Sequence, residues 1–269
     1  MQGSSSMDPT PNNPSDVPRW VDTHCHLFLA DQPAEELVAR AVASGVDWVM
    51  VPGTHLAGSL EAQAIAGSLP GRALWAAGLH PHDAIHWPGQ QGRITALAVE
   101  ADAIGECGLD YYRDLSPRDA QRSAFTDQLK LAASLAKPVI VHCRDAFSDV
   151  YEALTQAALG ERAVLHCWTG GPKWTRRFRD LGVTFSFAGP ITYATADTLR
   201  LGAAEAPRER TLVETDTPYL TPPPDRHRPN EPANVRLIGE ALASVWGIST
   251  AEVARITTVN AERVFGRPQ

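Results

Sequence analysis

Long apolar runs are missing from this sequence of 269 residues, and so is any cluster of basic side chains. No stretch approaches the roughly 20 apolar residues that a membrane-spanning helix requires. Acidic residues outnumber basic ones by 31 to 24, so the surface lacks the positive charge of a protein that binds long nucleic acids constitutively. We therefore expect no association with membranes. Any action on phosphate groups would need positive charge from bound metal ions.

The first residues of the sequence do not have the pattern expected of a secretion signal. The first 18 residues, MQGSSSMDPTPNNPSDVP, have neither a positively charged start nor an apolar centre. Because this stretch is polar and rich in proline, we predict a disordered lead-in over residues 1–18 and one folded domain over residues 19–269. The same features predict a cytoplasmic protein.

Cysteine is scarce, with four residues and no CxxC pair, which fits a reducing compartment. The four are Cys25, Cys107, Cys143 and Cys167. Each is preceded in the sequence by a histidine or a glutamate. Neighbouring residues of a strand face opposite sides, so we expect the cysteines to pack under covering helices as small hydrophobic residues. Their histidine and glutamate neighbours would then face the other side.

Short apolar stretches alternate with amphipathic ones along the rest of the chain, as buried strands alternate with helices. The predicted strands are residues 20–27, 48–52, 74–80, 103–109, 138–143, 163–168, 183–188 and 212–217. The predicted helices are residues 34–44, 60–68, 93–101, 117–136, 147–158, 174–181, 196–204, 233–245 and 250–265. An open doubly wound sheet would carry a glycine-rich turn after its first strand, and THCHLFLADQ stands there instead. We therefore predict an α/β fold, a single-domain TIM (β/α)8 barrel.

Residues that can bind metal ions lie at the ends of several predicted strands. His24 and His26 are two residues apart, a spacing that places both rings on the same face of a strand. The complete set is His24, His26, Glu106, His142, His166 and Asp216. In a TIM barrel the C-terminal ends of the strands meet at one face, where active sites lie. Because so many titratable groups cannot be buried without a partner, we predict a metal site at that face.

The order of the strands divides these residues into two groups, because strands one and eight become neighbours when the barrel closes. The predicted assignment is His24, His26 and Asp216 for one ion, His142 and His166 for a second ion, and Glu106 as the bridge. The mixed nitrogen and oxygen ligands suit Zn²⁺, Mn²⁺, Fe²⁺ or Co²⁺, and Mg²⁺ remains possible. Two ions would activate a water molecule, with Asp216 as general base beside the bridging Glu106.

The sequence resembles the TatD family of metal-dependent hydrolases from about Val21 to Phe265. The resemblance is carried, in order, by VDTHCH, GLHPH, GECGLDYYR, VIVHCRDA, LHCWTGG, SFAGPITY, ETDTPYL and RHRPNEP. It implies a TIM barrel of the amidohydrolase-like superfamily and a two-metal phosphodiesterase with deoxyribonuclease activity, often of the 3′–5′ exonuclease type. It also implies the same six ligands. His227 departs from the pattern, because members usually carry glycine there.

Five further residues are candidates for binding substrate: His80, Arg113, Arg144, Arg226 and Asn230. Arginine side chains can bind a phosphate through two parallel hydrogen bonds, although ion pairs with nearby carboxylates are the alternative. His80 could contact a phosphate or the nucleophile, or could be a loop histidine with its own partners. Arg226 and Asn230 lie in the proline-rich loop 221–232, which could form a substrate wall or merely pack over the barrel.

Three functions remain open on the sequence alone. The leading one is a metal-dependent phosphodiesterase acting on nucleic-acid ends or another phosphodiester. The second is an amidohydrolase or esterase, including deacylation of aminoacyl-tRNA. Many binuclear amidohydrolases bridge their ions with a modified lysine on strand four, whereas this chain has Glu106 there and no lysine near it. The third is a non-catalytic metal-binding scaffold, which would lack a ligand or the base. We predict no stable protein partner.

Overall fold

Eight parallel strands form the centre of the protein in the computed structural model, which describes residues 19–269. The prediction of a disordered lead-in over residues 1–18 lies outside these described residues. The strands are β1 (Trp20–Asp22), β2 (Val46–Pro52), β3 (Ala73–Ala77), β4 (Ala103–Asp110), β5 (Val139–Arg144), β6 (Ala163–Leu165), β7 (Thr184–Phe187) and β8 (Thr211–Val213). Each strand pairs in parallel with the next one along the chain. This order confirms the predicted TIM barrel.

Within residues 19–269, nine α-helices surround the strands and confirm the predicted helical stretches, with the second and third beginning earlier than expected. They are α1 (Ala34–Ala43), α2 (Leu56–Ser68), α3 (Trp87–Glu100), α4 (Arg118–Leu135), α5 (Phe147–Ala157), α6 (Pro172–Asp180), α7 (Asp197–Glu205), α8 (Val235–Trp246) and α9 (Thr250–Phe265). The α9 helix begins with a side-chain cap, in which the Ser249 hydroxyl accepts a hydrogen bond from the backbone of Glu252. Within residues 19–269, no helix combines the length and apolarity needed to cross a bilayer.

The barrel closes between β8 and β1 through the segments that follow these two short strands. The backbone N–H of His26 donates to the carbonyl oxygen of Thr217 at 2.7 Å, and that of Asp216 donates to His24 at 2.9 Å. Cys25 and Thr217 form an isolated parallel bridge. We call this region the seam. It brings the first and last metal-competent segments of the sequence into direct contact.

The interior of the barrel is apolar at its N-terminal end. Met50 on β2 packs in the interior, while its neighbours Val49 and Val51 pack outward against the helices, as strand alternation requires. Phe265 at the end of α9 joins the interior cluster. Apolar side chains fill the lower barrel, and the buried histidines and carboxylates lie above it, at the C-terminal face of the strands.

Several strands end earlier than the sequence predicts. β6 ends at Leu165 and β8 ends at Val213, so His166 and Asp216 belong to the loops that follow. The backbone leaves the extended conformation there, with φ of +43° at Cys167 and +60° at Asp216. These turns direct the side chains over the mouth of the barrel rather than along the strands.

The pairing of β4 with β5 depends on the absence of a side chain at Gly108. Its φ is +144°, and a Cβ atom added there would lie 2.0 Å from the carbonyl oxygen of His142. We expect Gly108→Ala to lower the free energy of unfolding by at least about 1–3 kcal/mol, the usual cost of such backbone strain alone. Urea denaturation measures the change.

Gly92 provides the matched control, since it lies within α3 with no atom inside 4 Å of an added Cβ. Gly92→Ala should stabilise the protein by up to about 1 kcal/mol through helix propensity. Equal unfolding free energies for the two variants would contradict the proposed dependence on close contact between β4 and β5.

Candidate metal centre

Glu106 occupies the middle of the polar cluster and is only 2% exposed. Its Oε2 atom lies 3.3 Å from Nε2 of both His24 and His26. Its Oε1 atom lies 2.8 Å from Nδ1 of His142 and 2.9 Å from Nε2 of His166. One carboxylate therefore presents one oxygen to each of two histidine pairs from opposite arcs of the barrel.

The two pairs are compact. The Nε2 atoms of His24 and His26 are 3.0 Å apart, and Asp216 Oδ1 lies 3.7 and 3.6 Å from them. His142 Nδ1 and His166 Nε2 are 3.2 Å apart. Ligands of one Zn²⁺ ion at about 2.0–2.2 Å have separations of this order. The structure thus brings all six predicted ligands together, in the two groups expected from the strand order.

The outer nitrogens of three of these histidines face oxygen acceptors. His26 Nδ1 lies 3.1 Å from the carbonyl oxygen of Pro52, and His166 Nδ1 lies 3.1 Å from Glu214 Oε1. His142 Nε2 lies 3.2 Å from Asp110 Oδ2. Carbonyl and carboxylate oxygens accept hydrogen bonds, so each outer nitrogen has a partner for its proton. With the proton there, the inner nitrogen, which faces Glu106, would offer its lone pair to a metal ion.

Two buried polar atoms at or near His24, the remaining histidine of the two groups, have no hydrogen-bond partner within residues 19–269. They are Nδ1 of His24 and Oε2 of Glu214. The potential ligand atoms of His24, His166 and Glu214 lie within 4.8 Å of one another, and the two rings stack at 4.0 Å between centroids. Glu214 therefore lies close to one histidine of each group, and its Oε1 atom is the partner of the outer nitrogen of His166.

His80 differs from the other histidines of the cluster. Its Nδ1 atom accepts a hydrogen bond from the backbone N–H of His82 at 3.1 Å. The proton of the neutral ring must therefore be on Nε2, which lies 3.4 Å from Glu106 Oε1. His80 thus points into the site as a hydrogen-bond donor, although its position alone would also allow metal ligation.

The carboxylates of the cluster are in the state that a divalent cation needs. Burial alone would raise the pKa of Glu106, but His166 and His80 hold it well below its usual range. Burial raises the pKa of Asp216 to about 6, which still leaves it ionised at pH 7.

The histidines differ in their protonation. Burial lowers the pKa of His24 to about 4, so its ring is neutral near pH 7. For His26, His142 and His166, hydrogen bonds and charges from Glu106 and other nearby carboxylates outweigh burial and raise the pKa. Divalent cations bind neutral histidines and ionised carboxylates, so these residues fit such an ion, which would compete with protons for the three rings.

Asp110 is a member of the site that the sequence interpretation did not select. It is buried, and its Oδ2 atom lies 2.8 Å from His82 Nε2 in addition to its contact with His142. Its Oδ1 atom accepts the backbone N–H of Arg113 at 2.8 Å. The sequence contains a pattern that could have identified Asp110. It follows Glu106 by four residues on the same strand and so faces the same side.

An open pocket of about 740 Å³ lies over the cluster, and Arg113 and Arg144 are part of its lining. Neither guanidinium forms an ion pair with any carboxylate in the described chain. The Arg144 guanidinium instead lies 4.0 Å above the ring of Tyr112. The sequence left two roles open for these arginines, namely phosphate binding and ion pairs with nearby carboxylates. The contacts favour arginines that are free to bind an anion.

Arg226 and Asn230 lie outside the lining of this pocket. The Arg226 guanidinium lies 3.9 Å above the ring of Tyr193. Asn230 is 2% exposed, and its amide nitrogen donates to the carbonyl oxygens of Thr215 at 2.9 Å and Tyr219 at 2.8 Å. Asn230 thus holds both ends of the turn that carries Asp216.

The expected orientation of the cysteines is confirmed for three residues and wrong for Cys167. Cys25 and Cys107 are fully buried in the core between strands and helices, and Cys143 packs against the same core while its edge reaches the pocket. Cys167 lines the pocket and is not part of that core. For Cys167 the reason is its positive φ, because strand alternation has already ended two residues earlier.

Known proteins resemble this chain over nearly its whole length. The family described as TatD related DNase matches residues 21–266. The metal-dependent hydrolase YcfH of Escherichia coli is 35% identical over 253 residues, covering 91% of this chain and 95% of the relative. The 3′-5′ ssDNA/RNA exonuclease TatD of Citrobacter rodentium is 40% identical over 250 residues, covering 89% and 93%. The crystal structure of YjjV, a TatD homolog from Escherichia coli, has a TM-score of 0.87 at 28% identity and covers 93% and 99%.

The hydrogen bonds of Asn230 generate a prediction about stability. Asn230→Ala leaves the buried carbonyl group of Thr215 and the part-buried carbonyl group of Tyr219 without their donor. We expect a loss of about 1–3 kcal/mol in unfolding free energy, the cost of one buried unsatisfied group, because water can replace the donor at the more exposed Tyr219. Chemical denaturation measures the change. The control is Asn234→Ala, which removes one donor to Asn230 Oδ1 and should cost less. Similar losses in both variants would argue against a special role for Asn230.

Proposed function

Because this chain belongs to the TatD-related DNase family of metal-dependent hydrolases, we propose that it removes nucleotides from the 3′ ends of single-stranded nucleic acids. Family membership confirms the resemblance drawn from the eight sequence motifs. Relatives named as 3′-5′ ssDNA/RNA exonucleases, at 37–41% identity, support the substrate class. The observation that carries the proposal is the division of the two Glu106 oxygens between two histidine pairs.

The proposed centre holds two divalent metal ions. The ligands are His24, His26 and Asp216 for the first ion, His142 and His166 for the second, and Glu106 for both. Zn²⁺, Mn²⁺, Fe²⁺, Co²⁺ and Mg²⁺ are the candidates for this nitrogen and oxygen donor set. When bound, such ions supply positive charge for phosphate oxygens and lower the pKa of water. Glu214 and Asp110 orient the rings of His166 and His142 through their outer nitrogens.

The protein's own side chains bind the substrate and move the proton. Arg113 and Arg144 line the pocket without carboxylate partners in the described chain, and they bind phosphates of the incoming strand. His80 donates its Nε2 proton to a phosphate oxygen. Asp216 lines the same pocket and accepts the proton of the attacking water. A substrate contact by Arg226 or Asn230 stays a prediction, since their present contacts hold loop 221–232.

The amidohydrolase alternative shares the barrel but finds less support in the site. The position that would hold a modified lysine is occupied by Glu106. The pair of arginines without carboxylate partners suits a phosphodiester, which carries a negative charge, better than a neutral amide. A purified protein that binds metal but leaves every oligonucleotide intact would favour the alternative, including hydrolysis of aminoacyl-tRNA.

Glu106→Ala tests the bridge. Because Glu106 supplies one oxygen to each group, its removal should reduce metal content from two ions per chain to none after dialysis, as measured by elemental analysis. Glu205→Ala is the control, since Glu205 forms an ion pair with Arg176 on the outer helices and should leave metal content unchanged. Retention of two ions by Glu106→Ala would refute the bridge.

Asp216→Asn tests the activity and the base together. The assay follows shortening of single-stranded DNA labelled at either end, with EDTA and then with Mg²⁺, Mn²⁺ or Zn²⁺ restored. The unaltered protein should shorten the strand from its 3′ end only after metal is restored. Asp216→Asn should retain substantial metal yet lose about 10²- to 10⁴-fold in turnover, the usual contribution of a general base.

Asp197→Asn is the matched control, because Asp197 is an exposed residue at the start of α7 that pairs with Arg200. It should cleave at the rate of the unaltered protein. Normal turnover by Asp216→Asn would refute its role as base, and shortening from the 5′ end would refute the polarity.

A further inference from the structure

The pocket over the metal centre has two chemically different walls. Arg113 and Arg144 contribute positive charge from the loops and strand ends of β4 and β5. Across the pocket, the segments after β1 and β8 contribute Leu29, Tyr219 and Leu220. We call these three residues the apolar wall. The arginine side suits a charged phosphate, and the apolar wall suits a planar base.

Tyr219 stands out among the five tyrosines, all of which lie within the described residues. The rings of Tyr112 and Tyr193 lie under arginines, and Tyr151 packs against Trp174 and Phe178. Tyr111 lies under Arg118, and its hydroxyl donates to Asp149. In the described chain the Tyr219 ring has no aromatic or cationic partner, and its hydroxyl has no hydrogen bond. The residue is 54% exposed and faces the pocket.

The backbone of Tyr219 is held at both ends although its side chain is free. Its N–H donates to the carbonyl oxygen of Asp216 at 2.8 Å, and its carbonyl oxygen accepts from Asn230 at 2.8 Å. The ring is therefore carried on a fixed turn, three residues after the proposed base. A planar partner can bind such a ring with little ordering cost, which is the condition for a preformed binding surface.

Leu29 extends the apolar wall across the seam. It is 42% exposed at the end of the short 3-10 segment Leu27–Leu29 and also lines the pocket. The hydrogen bond from His26 to Thr217 joins the two segments that carry Leu29 and Tyr219. Two exposed apolar side chains thus border the same side of the pocket, whereas the exposed Leu115 lies on the other side, in the loop that carries Arg113.

We propose that Tyr219 is the stacking platform for the terminal nucleobase of the substrate, with Leu29 beside it. This inference rests on the proposed nuclease function and adds the residue that recognises the base. The phosphates of the strand then extend toward Arg113 and Arg144. Every base has a π-face, so stacking accepts all four bases but requires them to be unpaired. The platform selects single-stranded ends without reading their sequence.

The test compares two single-stranded oligonucleotides that differ only in their terminal residues at the 3′ end. One carries normal nucleotides and the other carries abasic tetrahydrofuran residues with the same phosphates. For the unaltered metal-loaded protein, we expect kcat/KM to be about 5- to 150-fold higher on the normal end, the range measured for stacking one base on an aromatic side chain. Tyr219→Ala should remove this preference by slowing cleavage of the normal end selectively.

Two further variants separate stacking from a structural effect. Tyr219→Phe keeps the ring and should restore the preference for the normal end. Leu201→Ala, at an exposed apolar position on α7 that is not part of the pocket, should behave as the unaltered protein. Equal loss on both oligonucleotides in Tyr219→Ala would overturn the inference, because it would show that Tyr219 supports the Asp216 turn instead.

The outcomes also distinguish this inference from the function on which it rests. An unaltered protein that cleaves both ends equally well would overturn the stacking platform and leave the nuclease intact. If the unaltered protein shortens neither oligonucleotide with any of the three metals, the proposed nuclease function fails and the platform fails with it.

Discussion

Burial of the Glu106 carboxylate among histidines is the interaction on which the rest of the site depends. An ionised carboxylate with 2% exposure is costly unless charges or hydrogen bonds surround it. Here the surroundings come from opposite arcs of the barrel, and each Glu106 oxygen faces a different pair of rings. The barrel makes this possible because its parallel strands converge at one face. Moving any one of these segments would leave charge uncompensated in the interior.

The same convergence explains how much could be predicted from the sequence. Apolar stretches at regular spacing identified all eight strands, and residues at their ends had to meet once the barrel closed. The exact ends of the strands were beyond prediction. His166 and Asp216 lie in turns whose positive φ values are supported by contacts distant in sequence, such as the hydrogen bond from Asp216 to His24. No local pattern encodes such a contact.

Side-chain roles in the loops were harder to predict than the ligands, for a related reason. Asn230 is a residue type that often contacts substrate. Its amide nitrogen instead donates hydrogen bonds to backbone carbonyl groups 15 and 11 residues away. The role of His80 depends on a single backbone N–H that decides which ring nitrogen carries the proton. Asp110 was detectable from its spacing to Glu106, whereas the free ring of Tyr219 becomes visible only when the partners of every tyrosine are known.

The seam between β8 and β1 links the chemistry of the site to local unfolding. Short strands meet there, and the segments that close the barrel are the ones that carry His24, His26 and Asp216. A ligand that binds only the closed form stabilises closure by mass action. Release of the proposed ion from this half of the centre and separation of the two segments at the seam would therefore be coupled equilibria. In that case the ion would also hold the seam closed, and its loss would reduce local order where β1 meets β8.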